Sequence, residues 1–246
     1  MKVMWHGTAS ISIDDILLID PFIPLKNSPV KIDSSKYNIY KHILITHGHL
    51  DHIVSIPEIV KHQDVTIYGT KAVKDALSRL HCRCRFIQIE PGNHFQIDGY
   101  TIRIYKSKHT VFDQKIIKKT FLNRRILNHF NSFMKLGFYN LLCKENHETI
   151  GYYIEKDGKT IFVLGSLNID AYTIYPENMD LLILPYQGTS ELEKVAKEII
   201  ERFKPKQIFL DHFDDTFPPI SNTIDTTYME ETYHAIKPDY QTFYIV

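Results

Sequence analysis

The stretch His42-Ile43-Leu44-Ile45-Thr46-His47-Gly48-His49-Leu50-Asp51-His52 runs from an apolar strand straight into four side chains of metal-binding type. Residues 43–45 have the character of a buried strand and a helical pattern starts near Ile53, so the polar groups fall on a strand-to-helix turn. Imidazole and carboxylate suit zinc and similar divalent ions, and histidines two apart on such a turn can share one ion. Gly48 is expected to relieve the turn sterically. With 13 histidines in 246 residues, four candidate ligands within six positions are far denser than scatter would give. One segment cannot complete the coordination of one or two metals. His109, just past a strand read over 101–105, and His212, just past one over 207–210, are the distant candidates, because an aligned sheet would deliver both to one edge.

The surrounding chain alternates short strands with amphipathic helices. Strands are read over 3–5, 10–13, 16–19, 43–45, 65–68, 86–89 and 101–105, then over 151–155, 160–164, 181–184 and 207–210. Helices are expected over 53–62 and 71–80, the second behind Thr70 as N-cap. The clearest lies over 191–203. There Ser190 and Glu193 fit a capping box, Leu192, Val195, Ala196, Ile199, Ile200 and Phe203 form one apolar stripe, and Pro205 stops the helix. Two strand-rich halves with one-faced helices predict a layered α/β sandwich in which helices cover sheets. No Gly/Ser linker divides the halves, so residues 1–246 are expected to form one domain.

One segment breaks this rhythm. Residues 111–144 carry Lys115, Lys118, Lys119, Arg124, Arg125, Lys135 and Lys144 against the single acid Asp113, with phenylalanines and a tyrosine interleaved. Ile117, Phe121, Leu122, Ile126, Phe130, Phe133 and Met134 are spaced as on one side of helices. The segment reads as a basic, aromatic helical insertion at about 111–148. It is either a solvated hairpin packed on the body or a lid that attracts anionic substrates.

Lysine plus arginine equals aspartate plus glutamate at 29 each, so no global field steers the chain toward nucleic acid or an anionic surface. Hydrophobic residues at 43% and charged residues at 24% are those of an ordinary globular protein. No apolar run approaches the roughly 18 residues of a membrane span, and the polar start lacks a signal-peptide core, so a cytoplasmic location is expected. Cys82, Cys84 and Cys143 are too few for a disulfide framework, and Cys82-Arg83-Cys84 lacks the second pair a soft-metal site needs.

Thr46-His47-Gly48-His49-Leu50-Asp51-His52 resembles the signature of the metallo-β-lactamase fold superfamily, and Leu18-Ile19-Asp20-Pro21 resembles its first motif. The resemblance covers nearly the whole chain and implies a four-layer αββα sandwich of two mixed sheets holding one or two metals. It implies His47, His49 and His109 as ligands of a first metal, Asp51, His52 and His212 as ligands of a second, and Asp20 as a support behind them. Trp5-His6-Gly7-Thr8-Ala9-Ser10 is similar to the start of the branch containing ascorbate-6-phosphate lactonases and N-acyl-phosphatidylethanolamine phospholipase D, which tends to have histidine where this chain has Thr8. Residues 159–165 resemble the hairpin leading to the family's Gly-Asp, but Ser166 stands where the bridging aspartate belongs. A neutral serine compensates two cations poorly, so the second metal is expected to bind more weakly unless Asp170 reaches in instead.

The implied cofactor is one or two divalent ions, zinc first, with manganese and iron as alternatives. The implied activity is a metallo-hydrolase using metal-activated water on an ester, lactone or phosphodiester, with Asp51 orienting the water or accepting its proton. The basic segment favours an anionic small-molecule substrate. Ser166 keeps open a degenerate, non-catalytic binding or regulatory module, and the run from Lys115 to Arg125 keeps open an RNA or DNA nuclease. Balanced charge places nucleic acid below a small molecule as partner, and the sequence leaves a homo-oligomer open.

Overall fold

The computed structural model describes residues 1–61, 63–121 and 124–246, so His62 and Leu122 of the expected helical runs lie outside the described residues, as do the side chains of Ile117 and Phe121. Apolar alternation builds two mixed sheets. β1 (Lys2–Trp5), β2 (Ile11–Ile13), β3 (Leu17–Ile19), β4 (His42–Leu44), β5 (Thr66–Gly69) and β6 (Arg85–Gln88) follow one another in the first sheet. β7 (His94–Ile97), β8 (Tyr100–Lys106), β9 (Ile150–Lys156), β10 (Lys159–Val163), β11 (Leu181–Pro185) and β12 (Ile208–Asp211) do so in the second. β13 (Phe243–Ile245) returns to pair with β1. The meander β1–β3 is antiparallel, whereas β3–β6 and β10–β12 run parallel.

Side chains alternate across each strand. Leu17, Ile19 and Leu44 point between the sheets, into a core shared with Ile102, Ile104, Tyr152 and Ile161. Leu18, Ile43, Ile45 and Ile67 point to the other face, where α1 (Leu50–Ile53), α2 (Ile56–Ile59) and α3 (Lys71–Arg79) cover them with Ile53, Ile56, Ile59, Val73 and Leu77. α7 (Leu192–Phe203) buries Ala196, Ile199 and Phe203 on the second sheet. The result is the expected four-layer αββα sandwich.

Residues 111–148 are largely helical, as α4 (Gln114–Phe121), α5 (Arg125–Asn128) and α6 (Phe130–Leu142), and α8 (Thr227–Tyr233) precedes the last strand. Several local expectations are corrected. The helix expected over 53–62 is two short turns, α1 and α2, with Pro57 at the start of the second. Ser190 and Glu193 form no capping box: α7 begins behind Glu191 without a side-chain cap, and the Ser190 amide donates to Asp113 Oδ2 at 2.6 Å. Thr70 precedes α3 without capping it, and the amide of Ala72 is instead taken by Glu148 Oε2 at 2.7 Å. A distant carboxylate thus does what the neighbouring hydroxyl was expected to do. β7 was hidden in a mixed polar run. Its signal was Asp98-Gly99, both at positive φ (45° and 85°), the hairpin turn that Asp157-Gly158 repeats between β9 and β10.

Candidate metal centre

Loops leaving strand C-termini converge at one edge of the sandwich. Asp20 follows β3, the run from His47 to His52 follows β4 into α1, His109 follows β8, and His212 follows β12. Asp20 adopts a left-handed backbone (φ 44°) and its amide donates to Leu44 O at 3.0 Å, ending β3 abruptly beside β4. His212 repeats this turn (φ 60°), its amide donating to Thr8 O at 2.8 Å. The sheets are stitched beneath the site by Ile150 N to Thr46 O at 3.0 Å and Tyr152 Oη to Ile45 O at 2.7 Å.

Potential ligand atoms of His47, His49 and His109 lie within 4.8 Å of one another, and those of Asp51, His52 and His212 form a second group of the same tightness. The groups abut: the rings of His47 in the first and His52 in the second are 3.9 Å apart between centroids, while within the first group those of His49 and His109 are 4.3 Å apart.

A buried scaffold turns the rings. Asp20, 1% exposed, accepts from the Thr46 amide through Oδ1 at 2.8 Å, and from the Thr46 hydroxyl at 2.5 Å and His52 Nδ1 at 2.9 Å through Oδ2. The Thr46 hydroxyl proton is thereby committed, so its oxygen accepts from His47 Nδ1 at 3.0 Å. His109 Nδ1 donates to Thr110 O at 2.7 Å, and His212 Nδ1 faces Gln187 Oε1 at 3.3 Å. Each of these Nδ1 bonds leaves the ring's Nε2 turned to the clusters. His47 Nε2 is buried with no hydrogen-bond partner among the described residues, an unmade interaction that a cation would satisfy.

Electrostatics separate the two groups. Burial holds His47 far below its ordinary value, with the neighbouring histidines adding to it; burial also lowers His49, and together with His49 it lowers His109 to about 4. These rings are neutral donors at neutral pH. Burial would lower His52 and His212 too, but the carboxylates of Asp20 and Asp51 outweigh it for His52, and that of Asp51 does so for His212. Asp51 feels burial pushing it up, yet His52 and His212 pull it well below the usual carboxylate range. Its Oδ2 lies 2.9 Å from His212 Nε2 and 3.5 Å from His52 Nε2.

The two residues at the fourth motif are each engaged by other groups of the protein. Ser166 Oγ accepts from the Thr110 amide at 3.0 Å and donates to Thr110 Oγ1 at 3.2 Å. Asp170 belongs to neither cluster: its carboxylate accepts from the Tyr172 amide and the Thr173 hydroxyl, both at 3.1 Å, and pairs with Lys106 at 3.3 Å and Lys108 at 3.8 Å. The acidic run after His212 is buried, not solvated. Asp214 accepts from the Thr8 amide at 3.0 Å and Tyr240 Oη at 3.1 Å, while Asp215 accepts from Ser221 Oγ at 2.8 Å and Arg125 Nη2 at 2.5 Å. Gly48 is explained by neither φ nor turn strain: a Cβ there would overlap the carbonyl oxygen of Lys144. Sequence reading missed Gln187 and Thr110. Gln187 carried the same signal as His212, a polar residue just past an apolar strand, here 181–185.

The model of the beta-lactamase superfamily domain matches residues 16–213, a span that contains every residue of both clusters. The chain belongs to this superfamily. Relatives within it include a UPF0173 protein of Pyrococcus furiosus, 22% identical over 84% of this chain and 80% of its own length. A UPF0173 metal-dependent hydrolase of Staphylococcus aureus is 26% identical over 89% of this chain and 88% of its own. Among solved structures, a metallo hydrolase from the archaeon Ignicoccus hospitalis superposes with a TM-score of 0.63 at 17% identity, covering 100% of this chain and 98% of that one. The superfamily fold and a His/Asp site able to hold metal make the chain a metal-dependent hydrolase of the metallo-β-lactamase fold.

Proposed function

We propose that the chain hydrolyses an ester, lactone or phosphodiester of an anionic small molecule. The observation that carries this reading is the pair of abutting ligand groups, with His47 Nε2 buried and unsatisfied at their junction. His47, His49 and His109 would hold a first divalent ion, zinc by the chemistry of three neutral imidazoles, and Asp51, His52 and His212 a second. Such an ion supplies Lewis acidity and a nucleophile available at neutral pH, since it lowers the pKa of water from about 15.7 to about 7.

The chain's own residues fix the geometry. Asp20 and Thr46 lock His47 and His52, Thr110 O locks His109, and Gln187 steadies His212. His52 and His212 hold Asp51 ionised, so its carboxylate would compensate the charge of an ion and orient the water or accept its proton. Exposed Lys115, Lys118 and Lys144 belong to the segment that meets the His47–His52 loop at Gly48, a local cationic field in a chain of balanced charge. The Ser166–Thr110 pair favours a second reading, a binding module with one metal, because the hydroxyl is neutral and already engaged by Thr110.

The deciding experiment measures metal per chain by mass spectrometry on protein prepared without chelators, alongside turnover of phosphodiester and lactone substrates. About one equivalent and turnover, both lost in His49→Ala, is expected. Roughly a tenth of an equivalent or less after reconstitution overturns the hydrolase mechanism, and one equivalent without turnover on any substrate favours the module.

A further inference from the structure

α6 is apolar on two opposite sides. Its inner side buries Leu136, 1% exposed, against Phe22, Leu50, Cys143 and Phe217. At 100° per residue, Phe130, Met134, Phe138 and Leu141 fall within a sector of about 80° nearly opposite Leu136. They are 56%, 57%, 59% and 69% exposed, and Leu127 on the preceding turn is 80% exposed. Along the axis the stripe runs about 17 Å. An apolar stripe that a helix turns away from its own core marks a surface made for another phase or partner.

Charge decides which. Arg124, Lys135 and Lys144 adjoin the stripe along the chain and are exposed, as are Lys115 and Lys118 on α4. The segment's three carboxylates are half-exposed and fewer than its cations, and each is hydrogen-bonded: Asp113 accepts from Ser190, Glu145 from Thr149 and Glu148 from Ala72. A two-fold second copy docking through this face would bring the same cation-rich patch onto itself, since such an interface uses one surface on both copies. Lysine and arginine beside exposed phenylalanine and leucine match instead an interface with anionic headgroups above acyl chains.

We propose that the outward face of α5 and α6 docks the protein on an anionic lipid surface, the phenyl and leucyl side chains entering the headgroup boundary and the cations pairing with phosphate and carboxylate. The assay reads binding and not turnover, so it stands apart from the hydrolase reading.

The full chain is sedimented with phosphatidylcholine vesicles with and without phosphatidylserine. The expected result is binding only with phosphatidylserine, weakened by added salt, and reduced about tenfold or more in Met134→Glu/Phe138→Glu and several-fold in Lys115→Glu/Lys118→Glu. Leu127→Ser, at the most exposed position, gives the same direction of change should the double glutamate variant lose its fold. Absence of binding to phosphatidylserine vesicles overturns the proposal. So does binding that the variants leave unchanged, or a dimer by light scattering that Phe138→Glu dissociates.

Discussion

Asp20 and His212 use one backbone device for two purposes. Each is the first residue beyond a strand, each is left-handed, and the turn throws its side chain across the mouth of the sandwich. Aspartate tolerates this conformation better than most residues and histidine tolerates it too, whereas a β-branched residue would not. The sequence displayed these residue types and their place after strands, but not the turn, because φ depends on what the amide finds: Leu44 O for one, Thr8 O for the other. Ser166 was legible as a departure; its locking by Thr110 was not, since the two are far apart in the chain. Replacing Ser166 by aspartate should restore an anionic bridge and raise metal content from about one toward about two per chain, measured by inductively coupled plasma mass spectrometry. No rise would assign the second site's weakness to something else. His6 gives a pH prediction remote from the clusters. It is fully buried, donates or accepts at Ser12 Oγ at 2.9 Å, and burial, with Lys36 adding, lowers it from 6.5 to about 4. The unfolded chain therefore binds a proton that the folded one refuses between those values. Stability should fall as pH drops from 6.5 toward 4, by up to about 3 kcal/mol from this group. Urea titrations of the wild type and of His6→Gln should diverge only in that window, and parallel curves would remove His6 as the cause.

At the scale of elements, caps come from afar. α3 starts on Glu148, from the end of the helical segment, rather than on Thr70 beside it. α7 starts where Asp113 has already claimed the Ser190 amide. Local motif reading located both helices, because their apolar stripes repeat at helical spacing, and missed both starts, because the competing acceptors lie 76 and 77 residues away. β4 and the ligand run were read correctly for the opposite reason: strand, turn and donors are contiguous. Glu148→Ala should cost about 1 kcal/mol and lower Tm by about 3 °C, with Glu148→Gln recovering part of the loss through its carbonyl oxygen. Thermal melts followed by circular dichroism decide this, and an unchanged Tm would mean that water serves the Ala72 amide equally well.

For the whole molecule, two sheets with their own helical covers are joined along a common core, and the ligand groups sit where both sheets end. Ion binding therefore couples the halves. Chelation should lower Tm, since ligand at about 100 times its dissociation constant adds about 2.7 kcal/mol to the folded state. Stoichiometric zinc should restore it, and His47→Ala should melt alike with and without chelator in scanning calorimetry. A chelator-insensitive wild type would contradict the coupling. The layered architecture was readable from strand and helix rhythm, whereas the seating of residues 111–148 was not. Arg125 reaches Asp215 Oδ2, Asn222 Oδ1 at 2.7 Å and Ser221 O at 3.2 Å, and Lys144 O fills the space Gly48 leaves. For anyone recombining homologous genes, this makes a cassette bounded at 111 and 148 a poor unit of exchange. The segment inherits its seat from positions 48, 215, 221 and 222, so a functional chimera has to transplant both sides of the latch together.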